Sequence, residues 1–149
     1  MGISTLRGAA QPVGLSSATP ADVALAAVVG AATTAARGDH THKVADSGWL
    51  TPTLLNGWAV YDATFGNAAM YRKIGPIVFL RGLIRSGTMG ATAFNLPAGY
   101  RPGIRMLFGI DSGGAYVHGR VDVHVNGDVV PVGGQNAYFQ ISCAFPADN

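Results

Sequence analysis

No aromatic side chain occurs before Trp49, whereas aromatic residues recur from there to Phe145. The first 44 residues are built from Ala, Gly, Ser, Thr and a few Val, with almost no large side chains. Such a stretch buries too little apolar surface to offset the entropy of ordering it, so it makes no core alone. The sequence therefore divides into a thin leader, residues 1–44, and a head, residues 45–149, with the boundary near Ala45 to Leu50. Three readings of the leader stay open. It is disordered, or it is a helix over Ala21 to Ala36 with Thr19 as cap and Pro20 in the first turn, or it is a strand-and-loop shaft ordered by partner chains.

The head reads as all-β. Of the 149 residues, 48% are apolar and 12% charged, about half the usual charged share, which argues against charge-driven disorder. One domain with a modest core fits this length and a second large one does not. Twenty-one glycines stand mostly at turn-like positions between short β-type runs. Val117, Val121, Val123 and Val125 alternate with His118, Arg120, Asp122 and His124, and the run ends in Asn126-Gly127. That dipeptide favours a type I′ turn, which sends Asp128 to Val132 back antiparallel. Further strands are expected over Gly57 to Tyr61, Ala69 to Ile74, Ile77 to Arg85, Ala91 to Asn95, Ile104 to Ile110 and Tyr138 to Phe145. Eight short strands suggest a sandwich or jelly roll. In the run from Ile77 to Arg85, Val78, Leu80 and Ile84 share one face and Ile77, Phe79, Arg81, Leu83 and Arg85 the other. Both faces are largely apolar, so the second face either meets another subunit or belongs to a central sandwich strand.

Several function classes are disfavoured. Ten basic and eight acidic side chains, for a net charge of +2, are spread without the Lys/Arg stripe of a nucleic-acid binder. The longest apolar stretch, around Val23 to Val29, is far shorter than a membrane span, and the first residues lack the pattern of a signal peptide. The expectation is a soluble protein assembled in the cytosol, with no nucleic-acid partner and no membrane insertion. The single Cys143 is in phase with Phe139, Ile141 and Phe145 and reads as a core thiol. No enzyme is expected. Asp62, Asp111, Asp122 and Asp128 lie in turns or on an alternating strand, the sequence has no Glu, and neither a Gly-x-Ser-x-Gly elbow nor a Walker-type loop occurs.

Two groups of residues are candidates for binding. His118, Arg120, Asp122 and His124 mix donors, acceptors and titratable groups on one strand face, suited to hydrogen-bonding a sugar or lining a metal site, although such a face is more commonly just solvated. A carbohydrate site is expected to add aromatic platforms, for which Trp58, Tyr61, Tyr100 and Tyr116 are candidates, each at least as well suited to packing. His40 and His42, two apart, point to the same side of an extended chain about 7 Å apart. Read alone, they are exposed loop residues. A cupin-type metal site needs further ligands, for which Asp46 is the nearby acid, and a His-x-His hydrolase barrel needs about 250 residues.

Two stretches resemble known proteins. Leu15-Ser-Ser-Ala-Thr-Pro20, followed by Gly30-Ala-Ala-Thr-Thr-Ala-Ala-Arg37-Gly-Asp39-His40-Thr-His42, resembles a segment of bacteriophage tail fibres in which a small-residue tract leads to Ala-Arg-x-Asp-His-x-His. Lys43 stands where that pattern has proline, leaving the exit from the motif less constrained. Trp49-Leu-Thr-Pro-Thr-Leu-Leu-Asn-Gly-Trp58, Tyr71-Arg-Lys-Ile-Gly75, Val78-Phe-Leu-Arg-Gly82, Gly87-Thr88, Phe94-Asn-Leu-Pro-Ala-Gly-Tyr-Arg-Pro102 and Gly119-Arg-Val-Asp-Val123 resemble the head of siphophage minor tail and fibre proteins. The resemblance implies an all-β homotrimer: a short extended trimeric shaft or leader, then a jelly-roll-like β-sandwich head. It implies a place in the virion tail among other tail proteins, and attachment to a host cell-surface receptor such as a polysaccharide. It also implies that His40 and His42 of three chains together hold a transition-metal ion, iron being the first choice and nickel, cobalt or zinc the others, with Asp39 orienting a ligand. The alternatives are a purely structural tail or decoration subunit and a polysaccharide depolymerase.

Overall fold

A computed structural model describes residues 43–64, 68–114 and 117–148. The chain divides into two units, Met1–Val44 and Ala45–Asn149, and nearly all described residues belong to the second. The stretch over residues 21–36, for which a helix is one of the three readings, and the paired His40 and His42 lie outside the described residues.

Every helix or strand among the described residues is a β-strand: β1 Ala59–Val60, β2 Met70–Ile74, β3 Ile77–Arg81, β4 Leu83–Arg85, β5 Phe94–Asn95, β6 Met106–Asp111, β7 His118–Val123, β8 Asp128–Val132, β9 Phe139–Gln140 and β10 Cys143–Pro146. All pairings are antiparallel, in sheets ordered β1-β4-β9, β10-β3-β2 and β5-β8-β7-β6. The head is all-β, as its composition and alternation predict.

The first two sheets are one ladder with a kink. The expected strand Ile77 to Arg85 breaks into β3 and β4 at Gly82, and its partner Tyr138 to Phe145 breaks into β9 and β10. Yet the register runs on across the break, since Leu80 opposes Cys143, Leu83 opposes Gln140, and the Ile141 N–H donates to the Gly82 carbonyl at 3.1 Å. Gly82 takes φ +127°, where a side chain is strained, and a Cβ there would come 2.6 Å from the Ala68 carbonyl oxygen. The kink is thus made by a residue that nothing else replaces.

Because the register is unbroken, the alternation persists. Val78, Leu80 and Ile84 turn inward with exposures of 0–3%, joined by Phe139, Ile141 and Phe145 from the partner strands. The four-stranded sheet adds Ile110, Val121, Val123, Val129 and Phe94 to the same cluster. Large side chains this deeply buried contribute roughly 1.5–3 kcal/mol each. The opposite face of β3, carrying Ile77 and Phe79, is half-buried.

Two further details differ from the sequence reading. The β7–β8 connection is a three-residue loop rather than a two-residue type I′ turn. The Gly127 N–H closes a turn on the His124 carbonyl at 2.9 Å, and Gly127 at φ +93° is the only residue of that loop with positive φ. This is the turn-plus-glycine-bulge solution, in which one left-handed residue suffices. The segment before β1 also lies along the β2 edge through bridges Asp46↔Ile74 and Leu50↔Tyr71. Arg81 and Arg72 stack on Trp49 at 4.1 and 5.8 Å, and Arg72 Nε donates to Asp46 at 2.8 Å. That bond and one from the Gly48 N–H hold the Asp46 carboxyl down at about 2.

Candidate functional site

The four-stranded sheet and the kinked ladder join along a seam between β6 and β9. A bridge pairs Ser112 with Phe139, and the Gly113 N–H donates to the Tyr138 carbonyl at 2.7 Å. The inward positions at this seam are apolar apart from Ser112, which is fully buried. The outward positions are polar, because Tyr138, Gln140 and Ser142 alternate with the buried Phe139, Ile141 and half-buried Cys143. From the other side come Asp111, at the end of β6, and His118, opposite it on β7.

These side chains line two hollows. One, near 500 Å³, is lined by Arg81, Leu83, Asp111, Tyr138, Gln140 and Ser142. The other, near 260 Å³, is lined by Gly109, Asp111, His118 and Gln140. Sharing Asp111 and Gln140, they form one groove, of the size that holds a small ligand or one unit of a polymer. Gly109 leaves its floor bare: a Cβ there would meet nothing within 4 Å. His118 Nδ1 lies 3.3 Å from Asp111 Oδ1, with both side chains more than 70% exposed. Tyr138 is half-buried, packs edge-to-face with Tyr61 at 5.7 Å between ring centres, and its hydroxyl donates to the Gly114 carbonyl at 3.3 Å.

The residues singled out in the sequence fall in different places. Tyr61 and His118 come to the groove, Tyr61 through its contact with Tyr138. Trp58 does not, because its indole is 4% exposed and packs at 5.9 Å on Phe139. As a surface platform Trp58 is corrected to a core residue: the tight approach of Gly87 draws it inward. Tyr100 stacks edge-on to Tyr71 at 5.1 Å beside a separate hollow near 520 Å³, where the Lys73 ammonium is taken by the Gly99 carbonyl at 2.6 Å. Tyr116 lies outside the described residues. His124 is half-buried at the β7–β8 loop.

Asp122 and Arg120 serve one another. Asp122 has no exposed surface, and its carboxylate accepts from Arg120 Nε at 2.6 Å and Nη2 at 3.0 Å, with Arg105 forming a second ion pair. Burial by itself favours the neutral acid, but the hydrogen bonds and charges of Arg120 and Arg105 outweigh it and hold the carboxyl below its ordinary value. The outward face of β7 is therefore a self-satisfied ionic clamp at Asp122, open to a ligand toward its His118 end.

Sequence reasoning missed Asp111, Tyr138, Gln140 and Ser142. The signal was present for three of them, as the outward phase of a strand whose inward phase was recognised. Asp111 carried none, since it meets Gln140 across the seam between β6 and β9, strands far apart in sequence. Among the described residues, no group of three or more His, Cys or acidic side chains is placed to hold a metal ion.

No family model matches the sequence, and no curated protein matches it. Among solved structures, the chain is similar to the receptor binding protein (gp15) of Listeria phage PSA, with a TM-score of 0.58 and 18% identity over 72% of this chain and 68% of that one. At that identity the two share a fold.

Proposed function

We propose that this chain is the host-binding head of a bacteriophage tail fibre or minor tail protein, acting as a homotrimer in the virion tail and attaching to a cell-surface receptor, a glycan in the first instance. The observation that carries the reading is that a phage receptor binding protein has the same fold over 72% of the chain, while the sequence independently resembles phage tail fibre segments. Most glycoside hydrolases work with a pair of cooperating carboxylates. Among the described residues the seam groove presents one, Asp111, which favours binding over catalysis.

In the same proposal, three leaders meet at His40 and His42 and share one transition-metal ion, iron before nickel, cobalt or zinc. The donor set supports it, since six neutral imidazoles suit such an ion. The half-buried apolar face of β3 supports association between copies.

The test is adhesion of the fluorescently labelled full chain to bacterial cells, with light scattering for its mass. Saturable adhesion that is lost on strains stripped of surface polysaccharide, at three times the chain mass, is the expected result. A chain that adheres to no cell while still joining phage tails is a structural subunit, and release of oligosaccharide from purified polysaccharide marks a depolymerase.

A further inference from the structure

We propose that the seam groove between β6 and β9 is the receptor site itself, and that it takes an uncharged sugar unit of a surface glycan. The inference rests on the receptor-binding reading above and adds its location and ligand chemistry.

The groove offers what a sugar ring presents. A pyranose has an apolar face of C–H groups and a rim of hydroxyls that both donate and accept. Tyr138 supplies the aromatic surface, fixed against Tyr61 and tied by its hydroxyl to the Gly114 carbonyl, so little side-chain freedom is lost on binding. Asp111 supplies a carboxylate able to accept from two neighbouring hydroxyls, Gln140 an amide that both donates and accepts, and His118 a further ring nitrogen. Gly109 lets the ring approach the backbone.

Charge separates a neutral sugar from an anionic one. Of the cationic side chains nearest the groove, Arg81 lies over Trp49 at 4.1 Å and Arg120 is committed to Asp122. Arg81 keeps its positive charge over the indole and lines the groove together with Asp111, so the two fixed charges balance and favour a neutral ligand over an anion, while the Asp111 carboxylate strengthens hydrogen bonds from hydroxyls. The hollow beside Tyr100 lacks this: its Lys73 and Asp46 are each engaged with other groups.

The experiment measures adhesion of the labelled full chain to cells for the unaltered protein, Asp111→Ala and Gln140→Ala, with Tyr100→Ala as control. Melting temperature and mass are recorded for each. Asp111 is largely exposed, so its replacement leaves the fold intact. The expected result is a fall in apparent affinity of about tenfold for Asp111→Ala, the loss of one charge-assisted hydrogen bond, with mass and melting unchanged and Tyr100→Ala unaffected. Millimolar methyl hexosides or N-acetylhexosamines compete and glycerol phosphate does not. Adhesion undiminished by both groove substitutions overturns the site while leaving the receptor-binding reading standing. Competition by glycerol phosphate alone overturns the ligand class. A change in mass on Asp111→Ala makes the groove a contact between copies and also overturns the proposal. Absence of adhesion by the unaltered chain removes both readings together.

Discussion

The indole of Trp58 lies so close over Gly87 that a Cβ on Gly87 would come within 2.1 Å of a ring carbon. Trp58 in turn packs on Phe139, so a single missing methyl group lets the β1 edge, the loop after β4 and the core strand β9 close together.

Gly87→Ala is therefore expected to lower stability by about 1–3 kcal/mol, or roughly 5–15 °C in melting temperature, by overpacking. Gly109→Ala, at a position with open space, is expected to leave melting within about 2 °C. Calorimetry of the two variants makes the comparison, and equal melting temperatures would contradict the tight approach.

The clamp at Asp122 predicts an asymmetry. Replacing both Arg105 and Arg120 by Met strands a fully buried carboxylate and is expected to cost about 3–5 kcal/mol. Asp122→Asn releases two arginines that are about half exposed and reach water, so a smaller loss of about 1–3 kcal/mol is expected. Urea denaturation measures both.

The same carboxyl sets a pH dependence. Its value is lowered on folding, so its stabilisation is complete above the unfolded value of about 3.9 and is lost as pH falls through the folded value. Asp46 acts in the same direction. The difference in unfolding free energy between the unaltered chain and Asp122→Asn should accordingly be constant above about pH 5 and shrink below about 4. A difference that grows on acidification would reverse the assignment.

Burial pushes the Cys143 thiol up to about 12. Its thiolate fraction at pH 8 is then about a thousandfold below that of an unperturbed thiol, so an aromatic disulfide reagent should label the folded chain slowly and the urea-unfolded chain at once. Rapid labelling of the folded chain would place the thiol at the surface.

The proposed metal knot predicts about one metal ion per three chains by elemental analysis, lost in His42→Ala and on acidification below about pH 6 as imidazoles protonate. Metal content unaltered by His42→Ala would remove His42 from the ligand set.

The inward faces were legible in the sequence because period-two alternation survives local distortion: Val78, Leu80 and Ile84 keep one side although the strand is broken between them. The break was not, since one glycine among twenty-one gives no sign that Ala68 presses on it. The fate of Trp58 was hidden for the same reason, its surroundings being set by Gly87, 29 residues on. His118, Arg120, Asp122 and His124 were placed together by alternation, but nothing in that pattern shows that Arg105 and Arg120 close over one of them. Asp111 reaches Gln140 only because two sheets join at Ser112 and Phe139, a long-range pairing that local pattern does not encode.

The unbroken register between β3–β4 and β9–β10 bears on the order of events during synthesis. Strands β9 and β10 pair with residues made some sixty positions earlier, so a nascent head whose synthesis has reached only Asn136 has β3 and β4 open along one edge and lacks Phe139, Ile141 and Phe145 from the core around Val78, Leu80 and Ile84. Until that seal arrives the molecule is most open to misassociation with its own copies. Ribosome-bound chains halted at Asn136 should be far more protease-sensitive than completed ones.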